Sequence, residues 1–208
     1  MVRLPNAITI LRIVLVPVFA VAFVLNGDTA RLIAFAVFCV AGLSDALDGL
    51  VARKFNAGSD FGRMLDPIAD KVLVAVALMM LVAEGNIEQF NLEPGLHSLL
   101  RLVPALIILS REILVSGLRE FLAGTHVSIP VTAVAKLKTT IQMIAIGAMI
   151  LEPLAYERLP YALGVSYSAA AYVGLWIAAG LTVYTGVVYF SAGLAHVKPR
   201  AAQPGEPG

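Results

Sequence analysis

Runs of roughly twenty apolar residues, broken by turn residues and charges, recur along this chain and constrain its fold more than any other feature. A run of that length spans the hydrocarbon of a bilayer as a helix, because in lipid every backbone N–H and C=O must pair within the segment. Six are visible, at about Pro5–Leu25, Arg31–Arg53, Asp60–Ala83, Leu99–Leu122, Val131–Leu151 and Ser166–Ala195. Stretches such as Asn-Gly-Asp, Lys-Phe-Asn-Ala-Gly-Ser and Glu-Gly-Asn-Ile-Glu-Gln separate them. Only 14% of residues are charged, against about 25% in a soluble domain. The expected fold is an all-α integral membrane protein of six transmembrane helices. It forms one domain over residues 1–198, with 199–208 as a disordered tail. No internal repeat is visible.

The first run, Ile8 to Leu25, is too long for the apolar core of a cleavable signal, so it is expected to remain as a span. The lone Cys39 sits in an apolar run, excludes an internal disulfide framework and is expected to be a small core residue. The net charge of +1 singles out no partner, and no nucleic acid is expected. The distribution of Lys and Arg says more. With six spans both termini share one side, where Arg3, Arg12, Arg53, Lys54, Arg63, Lys71, Arg111, Arg119, Lys136, Lys138, Lys198 and Arg200 collect. The other side holds Arg31, Arg101 and Arg158 beside several glutamates. The positive-inside rule then makes both termini cytoplasmic.

Against this background the stretch "SDALDGLVARKFNAGSDFGRMLDPIAD" is anomalous. At about 100° per residue, Asp45, Asp48, Gly49 and Ala52 share one stripe of the second span, and Gly62, Asp66 and Asp70 share another on the third. The two acid pairs lie roughly 12–15 Å from the shared turn, nearly abreast. Helix-end charges that snorkel to water, or pair with Arg and Lys, are the ordinary reading. Yet each Asp within a span costs about 2.5–3.5 kcal/mol at its centre, less near an interface, and four facing carboxylates also repel. Divalent cations offset both terms, and oxygen ligands without His or Cys favour Mg²⁺, Mn²⁺ or Ca²⁺ over zinc. Gly49, Ala52 and Gly62 can serve close helix packing, and can equally leave a slot for a flat ligand.

Asp45, Asp48, Gly49, Ala52, Arg53, Gly62, Asp66 and Asp70 spell D-x2-D-G-x2-A-R-x8-G-x3-D-x3-D, eight fixed residues across 26 positions. This pattern resembles, without departure, the signature of the CDP-alcohol phosphatidyltransferase family, and the six-span pattern is similar to that family's fold over about residues 5–195. The resemblance implies a transferase that moves the phosphatidyl group of a CDP-linked lipid onto an alcohol and releases CMP. It implies that Asp45, Asp48, Asp66 and Asp70 hold one or two Mg²⁺ or Mn²⁺ ions, and that Asp70 takes the proton of the attacking hydroxyl. Gly49, Ala52 and Gly62 would border the cytidine diphosphate, while Arg53 would bind it or brace the turn. It also implies a homodimer embedded in membrane lipid.

The acceptor must be read elsewhere. Arg111 and Arg119 are eight residues apart, about 80° around the fourth helix, so both can face one pocket. Arg111 lies within a span and needs an anionic partner, which Glu112, Glu120 or a ligand phosphate could supply. Lys136 and Lys138 begin the fifth helix about 160° apart, so only one is expected to face the site. The stretches "LPNAITILRIVLVPVF", "SREILVSGLRE" and "KLKTTIQM" resemble family members whose acceptor is sn-glycerol 3-phosphate, whose lipid donor is CDP-diacylglycerol and whose product is phosphatidylglycerophosphate. On that resemblance Thr9 and Arg12 approach nucleotide or acceptor from the first helix. Inositol phosphate remains a rival acceptor, and an uncharged one such as serine would leave the two arginines hard to explain. A divalent-cation transporter needs polar groups across the whole bilayer, and the outer halves of the spans read as almost wholly apolar.

Overall fold

The computed structural model describes residues 4–55, 60–84, 94–124 and 133–197. Among them every regular element is α-helical: α1 (Leu4–Val24), α2 (Asp28–Phe55), α3 (Asp60–Ala83), α4 (Pro94–Gly124), α5 (Ala133–Arg158) and α6 (Tyr161–Val197). The tail at 199–208 lies outside the described residues.

Local chemistry explains the joints. Gly27 carries a φ of 108°, a left-handed conformation that costs glycine little, and this lets α2 reverse directly after α1. Asp28 then places a carboxylate in the first turn of α2, where the helix dipole is positive. The largest departure from the sequence expectation is the last joint. A connection of some fourteen residues was expected between Leu151 and Ser166, but α5 runs through Pro153 to Arg158 and only Leu159 and Pro160 separate it from α6. Glu152, Pro153, Glu157 and Arg158 look like loop composition, yet Glu152 is satisfied inside the bundle and a proline bends rather than ends a helix held by its neighbours. Close approach makes the joint possible: a Cβ on Gly164 would lie 3.1 Å from the Tyr156 carbonyl oxygen.

Packing follows the apolar stripes. The core joins Phe19 of α1, Phe38 of α2, Leu73, Leu78 and Leu81 of α3, Ile108 of α4, Ile146, Met149 and Ile150 of α5 and Leu175 of α6. Phe19 meets both Phe23 and Phe38 in tilted ring pairs at 5.7 and 6.0 Å. α5 lies along α6, α1 against α2 and α3, and α4 against α6 and α3. The outward faces stay apolar, with Val14, Val18 and Val21 of α1, Leu32 and Val40 of α2, and Val183 and Val187 of α6 all exposed. A soluble monomer rarely exposes so much contiguous apolar surface. Among the described residues, Val134–Arg158 and Tyr161–Gly193 are long and apolar enough to cross a membrane. Cys39 is half-buried rather than a full core residue.

The far end of the bundle, away from the acidic motif, is not the apolar zone expected. Arg101 of α4 and Glu152 of α5, 1% and 0% exposed, pair at 3.3 Å. Arg101 also donates to the Tyr172 hydroxyl at 2.8 Å and the Leu81 carbonyl at 3.2 Å, and the Ser168 hydroxyl donates to Glu152 at 2.6 Å. Glu84 lies 3.7 Å from Arg101 and pairs with Arg31, whose guanidinium stacks over Phe23, and Arg158 pairs with Asp28. Five helices are thus tied by a charge network. Sequence shows each of these charges singly, never its partner. Arginines at the centre of this network are unlike the lining of a cation path.

Candidate active site

The side chains of residues 45–55, 60–67 and 70 lie outside the described residues, and with them Asp45, Asp48, Gly49, Ala52, Arg53, Gly62, Asp66 and Asp70. Their helices are described, and the register is informative. Ala34, Phe38 and Ala41 are buried and mark the inward face of α2; at about 100° per residue, positions 45, 48 and 52 continue that face. On α3 the buried Ala69, Leu73 and Ala77 do the same, and positions 66 and 70 fall on that face within about 20° of Ala77. On ideal helical geometry these backbone positions fall in line with the buried residues of α2 and α3.

α1 supplies the adjoining wall. Thr9 and Arg12, three residues apart on one helical face, are each only 1% exposed. Arg12 Nε donates to Ser44 Oγ at 3.3 Å, and Ser44 donates in turn to the Ala41 carbonyl at 2.7 Å. This seats a buried guanidinium against the residue preceding Asp45. Ser44 was not anticipated, although a serine before an acidic pair in an apolar span is itself a signal.

The basic residues divide. Lys138 is buried and pairs with Glu112, while Arg111 lies 3.4 Å from the same Glu112 oxygen. One carboxylate is shared by two cations, so these three side chains carry one surplus positive charge. Lys136 and Arg119 are exposed and take no part in this cluster. Rotation about α5 thereby selects Lys138 of the two lysines. The cluster lies toward the end of the bundle where Ser44 sits: Phe35 approaches Gly147 and Gly42 approaches Met143, so α2 and α5 run antiparallel, and Lys138 lies beyond Met143 as Ser44 lies beyond Gly42. Arg111 is held from α6: it donates to Thr185 Oγ1 at 3.0 Å and stands 5.8 Å above the Tyr189 ring.

An apolar groove of about 580 Å³ opens between α2, α5 and α6, lined by Phe38, Cys39, Leu43, Met143, Ile144 and Tyr167 among others. Gly42, Leu43, Thr139 and Thr140 form the end nearer the basic cluster and the start of the acidic stripe. A partly screened cationic cluster beside an apolar groove suits a substrate that is anionic at one end and hydrocarbon at the other.

Comparison with known proteins gives the same direction. Residues 2–184 match the family model described as CDP-alcohol phosphatidyltransferase. A Rickettsia felis protein named CDP-diacylglycerol–glycerol-3-phosphate 3-phosphatidyltransferase is 42% identical over 191 residues, covering 91% of this chain and 94% of its own length. Proteins of the same name from Salmonella typhimurium and Haemophilus influenzae are each 36% identical, over 91% and 90% of this chain and 94% and 91% of their own lengths.

Proposed function

The chain belongs to the CDP-alcohol phosphatidyltransferase family, and from that premise we propose that it transfers the phosphatidyl group of CDP-diacylglycerol to sn-glycerol 3-phosphate, yielding phosphatidylglycerophosphate and CMP. The observation that carries this reading is the unbroken eight-residue motif inside a likeness that spans nearly the whole chain, to relatives that bear this activity as their name. All six helices cross the bilayer of a bacterial inner membrane, with both termini and the site on the cytoplasmic side. The excess of Lys and Arg at that end supports this, as do the apolar outward faces. The catalytic domain is residues 1–198, and it works as a homodimer.

The donor set fits a hard divalent cation: four carboxylates at helical spacing on two successive helices, with no soft ligand among them. Asp45, Asp48, Asp66 and Asp70 would hold one or two Mg²⁺ or Mn²⁺ ions, which when bound neutralise the lipid diphosphate and the charge that develops on phosphorus. The protein's own groups do the rest. Gly49, Ala52 and Gly62 leave room for the cytidine diphosphate, with Arg53, Thr9 and the buried Arg12 beside it. Arg111 and Lys138 bind the acceptor phosphate, and their shared Glu112 keeps the cluster from excessive self-repulsion. Arg119 and Lys136, more exposed, draw the anion to the mouth of the site.

Asp70 accepts the proton of the acceptor hydroxyl. The freed oxygen bonds to the lipid-side phosphorus, the bond from that phosphorus to the bridging oxygen breaks, and CMP departs with the electron pair. Acyl chains remain in apolar surroundings throughout, for which the groove between α2 and α5 offers a lining.

The test is CMP release by purified protein in detergent with CDP-diacylglycerol and, in turn, sn-glycerol 3-phosphate, inositol phosphate and serine. Release is expected with glycerol 3-phosphate alone, and near-total loss in Asp70→Asn. Comparable turnover with serine would overturn the acceptor assignment, and ordinary turnover by Asp70→Asn would remove Asp70 from its role.

A further inference from the structure

We propose that one face of α6, built from Thr182, Thr185, Gly186 and Tyr189, is the seat that aims Arg111 at the acceptor phosphate, and that Thr185 and Gly186 are positioning residues for acceptor affinity. The proposal rests on the reading of Arg111 as an acceptor-phosphate ligand and deepens it.

The stretch "TVYTGVVY", residues 182–189, places two threonines, a glycine and a tyrosine at helical spacing within an otherwise apolar span. All four are buried on the side facing α4. Thr185 is oriented by its own helix: its oxygen lies 2.9 Å from the Leu181 carbonyl and 3.2 Å from the Thr182 carbonyl. A hydroxyl has one proton, and these carbonyls take it. The lone pairs of Thr185 Oγ1 are thereby turned outward, where one accepts a hydrogen bond from Arg111 Nη2 at 3.0 Å. Gly186 supplies the space, since a Cβ there would stand 3.1 Å from Arg111 Cγ and 3.7 Å from Nε. Tyr189 supplies the floor beneath the guanidinium, at 5.8 Å.

This seat fixes one N–H of the fork and leaves others for a ligand. Arg111 Nε is buried and has no acceptor among the described residues. A buried donor without a partner is costly, and an anion seated beside the fork would satisfy it. Adjacent Glu112 reaches only one terminal nitrogen, at 3.4 Å, and divides its charge with Lys138. Long flexible arginines lose affinity when they must be ordered at binding, so a pre-aimed guanidinium favours acceptor capture without altering the chemical step.

Steady-state kinetics of the full chain in detergent, with each substrate varied in turn, test this. Thr185→Val and Gly186→Ala are expected to raise KM for glycerol 3-phosphate about 10-fold, with kcat and KM for CDP-diacylglycerol within about 2-fold of the parent. Thr185→Ser, which keeps the hydroxyl, restores the parent value. Arg111→Lys raises the same KM at least as much, because an ammonium cannot form the fork. An unchanged acceptor KM in Thr185→Val beside a raised one in Arg111→Lys overturns the seat and leaves the proposed function standing. An equal decline in all three parameters, not rescued by serine, also overturns it, as a merely structural role. If the parent protein gives no CMP with glycerol 3-phosphate, the proposed function fails instead. The seat is then read by protection against thermal unfolding by glycerol 3-phosphate, which Thr185→Val must lose and Thr185→Ser must keep.

Discussion

Glu152 offers the severest single test of how this bundle is held. Its carboxylate is wholly buried between Arg101 at 3.3 Å and Ser168 at 2.6 Å. Replacing it by alanine leaves Arg101 in the interior with one charged partner fewer, because its remaining ligands are a tyrosine hydroxyl, a carbonyl and the more distant Glu84. Removing one member of a buried pair costs about 3–5 kcal/mol, most of it the penalty of the charge left behind. At roughly 2–4 °C per kcal/mol for a chain of this length, Glu152→Ala is expected to melt about 10 °C lower. Arg101→Met combined with Glu152→Met removes both charges and leaves Glu84 with Arg31, so the double variant should lie within about 1 kcal/mol of the parent. Far-UV circular dichroism melts in one detergent, at matched protein concentration, read both. A loss below about 1 kcal/mol in Glu152→Ala, or a double variant as unstable as the single, would refute the reasoning.

Other consequences are simpler to state. Gly164→Leu forces a side chain against the backbone of Tyr156, so melting should fall by the equivalent of about 1–3 kcal/mol, measured in the same assay. A chelator should abolish CMP release, with activity returning on addition of Mg²⁺ or Mn²⁺ and not Zn²⁺. Lys138→Met should raise KM for glycerol 3-phosphate about 10-fold, whereas the exposed Lys136→Met should change it less than about 2-fold.

The helices could be read from the chain because apolar length alone announces them: α3 begins and ends where expected, and α1 differs by one residue at each end. The acidic stripes rest on a related ground, spacings of three and four residues along helices that are present, while the carboxylates themselves lie outside the described residues. What resisted reading depends on partners far away in sequence. Arg101 and Glu152 are separated by 51 residues, and each in isolation resembles a charge at a span's end. The same misreading displaced the α5–α6 joint, because Glu152, Glu157 and Arg158 imitate a loop until their partners are known. Lys136 and Lys138 could be set apart by helical geometry, but only the position of α4 selects Lys138. Thr185 and Gly186 were overlooked because small residues in an apolar span carry no charge to betray a task.

The two-residue joint between α5 and α6 has a consequence for how Glu152 finds its partners. Helices so tightly coupled form a single hairpin, and Ser168, a neutral partner of Glu152, belongs to the same hairpin. Arg101 belongs to a segment that the ribosome has already delivered. The carboxylate therefore has its hydroxyl partner within its own hairpin, and only its guanidinium partner must come from elsewhere in the chain.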